Sequence, residues 1–163
     1  MEIILAENHG FCYGVKRAVE MADEAANSDG KSYTLGPIIH NPQVVGRLES
    51  KGVSPIQEVA DIDEGTMIIR SHGVGPAIYA EAEEKGLHIL DATCPHVKKA
   101  QQDAKSVIED GMTLVILGEK NHPEVKSINL WANNKGIIIE DEESAQKLQV
   151  VEKMGVVVQT TFS

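Results

Sequence analysis

The chain has 163 residues, 42% of them hydrophobic and 25% charged, which is enough apolar material for one ordinary domain or two small ones and too much for a disordered segment. Its 25 acidic against 15 basic residues give a formal charge of -10, which would repel a phosphate backbone and argues against nucleic acid as a partner. No run approaches the roughly 20 apolar residues of a membrane span and no early stretch has the basic-then-apolar order of a signal peptide, so the sequence predicts a soluble, cytoplasmic protein with no membrane partner.

In chain order, short β-branched runs alternate with amphipathic stretches. The pattern predicts a strand over residues 2–6, a helix over 15–26, a strand over 32–35 and a helix over 42–51. It continues with a strand over 66–70, a helix over 76–85, a strand over 87–90 and a helix over 95–109 that opens on a proline at an allowed first-turn position. Strands over 113–117, 136–140 and 155–159 follow, with helices over 122–132 and 142–148 between them. Strand-helix alternation throughout predicts an α/β chain of mostly parallel sheets covered on both faces. Cys94 closes one set of units and Pro95 opens another, so the expected division is a first αβα domain over 1–94 and a second over 95–163.

Ligands of open α/β sheets bind beyond the carboxyl ends of the strands. Cys12, His40, His72, Cys94, His122 and Thr161 all fall just after a predicted strand or in the loop that follows one, so one cleft can collect them. Two cysteines are too few for a disulfide scaffold; free thiols or metal ligands are the better reading. Each lies at an expected strand-to-helix junction, where backbone N–H groups and the positive helix end favour a thiolate, which serves as nucleophile or metal ligand. A single His beside Gly or Pro is more often a turn residue than a functional one. His40, His72 and His122 share one topological position, however, and imidazoles suit an anionic ligand because they donate from a ring nitrogen and charge near neutral pH. Glu124 can be an ordinary first-turn acid stabilised by the helix dipole, or a proton donor beside a His and a metal. Thr161 can be a polar strand end, or a hydroxyl that orients a substrate hydroxyl or relays a proton. His9, His88 and His96 are read as structural.

The segments Gly10-Phe11-Cys12-Tyr13-Gly14-Val15-Lys16-Arg17-Ala18, Ile39-His40-Asn41, Ser71-His72-Gly73-Val74, Asp91-Ala92-Thr93-Cys94-Pro95, His122-Pro123-Glu124-Val125 and Gln159-Thr160-Thr161 together resemble the LytB/IspH family of 4-hydroxy-3-methylbut-2-enyl diphosphate reductases. The resemblance implies three small αβα domains around a central cleft, and the last step of the non-mevalonate isoprenoid pathway: two-electron reductive removal of an allylic hydroxyl, giving isopentenyl and dimethylallyl diphosphate. It implies a 4Fe-4S cluster on three cysteine thiolates with one iron left open, and an electron donor such as a ferredoxin or flavodoxin. By motif, Cys12 and Cys94 correspond to two of the three cluster ligands and His40, His72 and His122 to the diphosphate-binding histidines. Glu124 corresponds to the acid that supplies the proton, and Thr161 to the hydroxyl that works with it.

The family's third domain, with the third cysteine, does not follow Ser163, which predicts a fragment of a longer protein. Two other readings stay open on the residues: a folded remnant without catalysis, and an acyl-transfer enzyme with Cys94, His122 and Glu124 as nucleophile, base and orienting acid.

Overall fold

A computed structural model describes residues 2–7, 9–28, 30–149 and 151–162. The elements run α1 (Tyr13–Ala26), β1 (Ser32–Leu35), α2 (Pro42–Ser50), β2 (Val53–Ile56), a 3₁₀ turn (Val59–Asp61), β3 (Thr66–Ile69), α3 (Pro76–Glu84), β4 (His88–Asp91), α4 (Pro95–Glu109), β5 (Thr113–Leu117), α5 (Pro123–Trp131), β6 (Ile137–Ile139), α6 (Glu142–Gln146) and β7 (Met154–Val158). Every strand pairing is parallel, in a four-stranded sheet ordered β2-β1-β3-β4 and a three-stranded sheet ordered β6-β5-β7.

Strand alternation divides the first core. Ile68 of β3 points with Val53 into the layer under α1 and α2, joined by Ala18, Val19, Ala22 and Leu48. Its neighbours Met67 and Ile69 point the other way, against Ala82 of α3 and the 3₁₀ turn through Val59 and Ile62. The small alanines of α1 let the helix lie close to the sheet. In the second sheet Leu114, Ile116 and Val157 meet Ala100 and Ala104 of α4 and Val125, Ile128 and Ala132 of α5. Covering on both faces, the expectation for parallel strands, holds for the first sheet and not for all of the second. Met154, Val156 and Val158 alternate along one exposed face of β7, and the five-residue α6 buries none of its own residues.

The two sheets are tied by hydrogen bonds. The Trp131 indole Nε1 donates to the Val74 carbonyl (2.9 Å) and the Ser127 hydroxyl to the His72 carbonyl (2.8 Å), while α4 leads from β4 of one sheet to β5 of the other.

Two expectations differ from the structure. Residues 2–6 are irregular, with Ile3, Ile4 and Leu5 exposed, because β-branched composition makes a strand only where a neighbouring strand completes its hydrogen bonds. Conversely, β2 went unpredicted because Pro55 interrupts its pattern; it is an edge strand, where a proline's missing N–H costs nothing.

Both sheets reverse their winding once. Beyond β1 the chain crosses to β2 on one side, whereas beyond β3 it crosses to β4 on the other, so the switch lies between β1 and β3. In the second sheet β5 leads to β6 and β6 back past β5 to β7, placing the switch between β5 and β7. Crevices open at such points, at the carboxyl ends of the strands.

Ile68→Ala tests this account of the first core. The residue is fully buried between sheet and helices, so the substitution should lower unfolding free energy in urea by about 2–5 kcal/mol. A loss under about 1 kcal/mol would mean that the layer under α1 and α2 is not packed as described.

Candidate functional site

The loops leaving the two switch points carry the chemistry. His40 follows β1, His72 follows β3, His122 follows β5, and Thr160 and Thr161 follow β7. Proline sets the entry to several helices from these loops: Pro42, Pro95 and Pro123 each occupy the first turn, so the preceding Asn41, Cys94 and His122 are held outside the helix in extended or near-extended backbone as N-caps. Cys12 caps α1 without a proline. These four N-caps all line one cavity of about 370 Å³, so the positive ends of four helices face the same space.

Cys12, His40, His72, Cys94, His122, Glu124 and Thr161, every residue singled out from the sequence, border that cavity, with Phe11, Ile39, Ser71, Val97 and Thr160 among the rest of its wall. Both thiols are free, Cys12 exposed and Cys94 half-buried. The Cys94 loop is secured from several directions. Its N–H donates to the Ser71 carbonyl (2.9 Å), and Arg17 of α1 donates to the Thr93 and Asp91 carbonyls (3.2 and 3.4 Å). The Asp91 carboxylate accepts from the Thr93 N–H (2.9 Å), the Tyr79 hydroxyl (3.0 Å) and Lys98 (2.6 Å). Burial alone would push Asp91 up, but the hydrogen bonds from Lys98 and Thr93 outweigh it and hold the carboxyl below its usual range. Gly14 completes the arrangement: a Cβ there would lie 2.5 Å from the Cys94 Sγ, so only glycine lets α1 pass this close.

The imidazoles of His40, His72 and His122 form a cluster with ring centroids 4.6 Å (His40–His72), 5.3 Å (His72–His122) and 6.0 Å (His40–His122) apart. Burial first, then His40, Arg70 and His122 nearby, push the His72 pKa down to about 3, so its ring is neutral at physiological pH; its Nδ1 is buried without a hydrogen-bond partner. Nitrogen atoms of the three rings lie within 4.8 Å of one another, a spacing that invites a metal ion. One contact argues for an anion instead. The Glu124 backbone N–H donates to His122 Nδ1 (3.2 Å), which must therefore carry the lone pair, leaving Nε2–H as a donor.

Glu124 is only 2% exposed, and one residue takes both of its oxygens. The Thr160 N–H donates to Oε1 (2.6 Å) and the Thr160 hydroxyl to Oε2 (2.8 Å). Thr161, expected to act with the acid, accepts from Gln159 Nε2 (3.0 Å), whose Oε1 is fixed by the Glu119 N–H (2.9 Å). Accepting this bond leaves the Thr161 hydroxyl proton free to donate elsewhere. Thr160 and Gln159 are the residues to which sequence reasoning gave no role; a doubled threonine in the turn that follows a strand is the signal, since both hydroxyls can then reach the same cavity. The Cys94–His122–Glu124 acyl-transfer arrangement is not formed, because the Glu124 carboxylate is bound by Thr160 and His122 Nδ1 by a backbone amide.

The sequence matches the LytB protein family over residues 3–163. Among curated relatives, the 4-hydroxy-3-methylbut-2-enyl diphosphate reductases of Pelobacter propionicus and Geobacter metallireducens are 52% and 50% identical over 163 residues, all of this chain and 58% of each relative. A solved structure of (E)-4-hydroxy-3-methyl-but-2-enyl diphosphate reductase, described as the terminal enzyme of the non-mevalonate pathway, superposes with a TM-score of 0.84 at 47% identity, covering 98% of this chain and 58% of that one. The Plasmodium falciparum E-1-hydroxy-2-methyl-but-2-enyl-4-diphosphate reductase gives 0.89 at 32% identity, covering 95% and 50%. The chain thus spans 58% of the length of the curated relatives described.

The depressed His72 pKa makes a stability prediction. Unfolded, the ring takes a proton below about 6.5, but folded it does so only near 3, so between these values the unfolded state binds more protons and stability falls as the pH falls. His72→Gln should flatten the decline between pH 6.5 and 3 by up to one proton, at most about 1.4 kcal/mol per pH unit, in urea titrations at stepped pH. An unchanged slope would show that His72 titrates normally in the folded chain.

Proposed function

Because the chain belongs to the LytB protein family, we propose that it carries the greater part of the reaction pocket of a 4-hydroxy-3-methylbut-2-enyl diphosphate reductase. One observation carries the reading: two thiols, three imidazoles, a buried carboxylate and two hydroxyls line a single cavity faced by four helix N-termini. A chain of net charge -10 that takes an allylic diphosphate needs a local concentration of donors, and this cavity has one.

His40, His72 and His122 receive the diphosphate. The Nε2–H of His122 is committed as a donor, and the neutral His72 ring can take up a proton as the anion arrives, which adds charge to the contact only when the ligand is present.

The donor set fits a 4Fe-4S cluster in part. Cys12 and Cys94 are free, cap helix N-termini and line the same cavity, as soft thiolate ligands of iron should. The third thiolate of the family's set has no counterpart among these 163 residues, which hold two cysteines. When bound, such a cluster supplies the electrons of the reduction, received from a donor of the ferredoxin or flavodoxin class.

The proton chemistry falls to the chain's own residues. Removing the allylic hydroxyl takes two electrons and two protons and releases water, and hydroxide leaves far less readily than water. Glu124 in its acid form delivers one of the two protons, the one that turns the departing hydroxyl into water, while the other goes to the allylic carbon. Both Glu124 oxygens are held by Thr160 so that the carboxyl group cannot rotate away. Thr161, which accepts from Gln159, donates its hydroxyl proton toward the substrate and fixes the direction of the leaving group.

The test is Glu124→Gln, placed in a complete reductase of the family. Iron content and substrate affinity should remain within about twofold, while turnover falls about 10²- to 10⁴-fold, the range of general-acid assistance. Loss of iron in step with turnover would remove Glu124 from the proton path.

A further inference from the structure

Behind the His72 loop lies a second cavity, of about 350 Å³, walled by Arg70, Lys126, Gln57, Asn121 and the backbone of Gly36 and Gly73. The turn from Arg70 to Gly73, closed by the Gly73 N–H on the Arg70 carbonyl (3.0 Å), parts its side chains: Ser71 and His72 border the first cavity and Arg70 this one. Glycine at position 36, with φ of +70°, makes room, since a Cβ there would meet the guanidinium at 2.7 Å. The Arg70 side chain makes no hydrogen bond or ion pair among the described residues, and its Nε is buried without a partner. Burial lowers the Arg70 pKa from its ordinary value, with no acid offsetting the effect. Lys126, on the facing α5, likewise forms no ion pair among the described residues, and no carboxylate lines the cavity.

A half-buried guanidinium without a counter-charge is costly, and structures retain one where an anion completes it. In a chain of net charge -10, two unpaired cations around an acid-free cavity mark an electrostatic exception. The N-cap of α3, Gly75, also borders the cavity, so backbone N–H groups add donors beside the two side chains. We infer that this cavity is a second oxyanion site, separate from the histidine pocket, in which Arg70 and Lys126 bind a phosphate-sized anion.

The probe is inorganic phosphate, added to the ¹⁵N-labelled chain at constant ionic strength while the Arg70 Nε–H resonance is followed, assigned by its absence in Arg70→Met. The site requires a saturable shift that persists in His40→Ala, which weakens only the first pocket, and whose midpoint rises about tenfold in Lys126→Gln. Lys126 is exposed, so that variant folds whether or not Arg70→Met does. A shift reproduced by sodium chloride, or lost with His40→Ala, or insensitive to Lys126→Gln, would overturn the proposal.

Discussion

Four helices, α1, α2, α4 and α5, begin on one cavity, and the rest of the site depends on that convergence. Each helix end presents unsatisfied N–H groups and roughly half a positive charge. Gathering four of them in a chain with ten more acidic than basic residues sets a local potential opposite in sign to the molecule as a whole. The convergence is topological in origin. Parallel sheets start their crossover helices at the carboxyl ends of the strands, and two sheets that both reverse their winding bring their crevices together when α4 passes from one to the other.

Local devices then refine this common field. Prolines at the helix starts keep Asn41, Cys94 and His122 outside the helices, with side chains free for other work. The backbone amide of Glu124 selects the His122 tautomer, so a capping interaction also decides which ring nitrogen donates. The two Thr160 hydrogen bonds hold the Glu124 carboxyl group in one orientation. Gly14 and Arg17, one turn apart on α1, join the two cysteine loops, the first by lacking a Cβ and the second by bonding to the carbonyls beside Cys94. The cavity is thus built from backbone groups at least as much as from the side chains its sequence advertises.

Much of this was legible in the sequence. Strand-helix alternation was clear, and Pro42, Pro76 and Pro95 placed three helix starts well because a proline at the first turn constrains the residue before it. His40, His72, Cys94, His122 and Thr161 were singled out because they follow strands, a place that parallel sheets reserve for ligands, whereas Cys12 follows the irregular residues 2–6 rather than the strand expected there. What stayed hidden depends on long-range partners. Whether residues 2–6 pair depends on a neighbouring strand, and which of Thr160 and Thr161 binds Glu124 is decided by a residue 36 positions away, rather than by local pattern. Arg70 looked like the end of a strand; only the turn to Gly73 shows that it serves a different cavity from His72.

The central claim, that three histidines from two sheets act as one anion-binding unit, is tested most directly by titrating inorganic diphosphate into the chain and following the imidazole ¹⁵N resonances of His40, His72 and His122. The account predicts that all three shift together with a single midpoint, because the rings share one cavity within 6.0 Å of each other. Rings that respond with separate midpoints, or a His72 that does not respond at all, would contradict it.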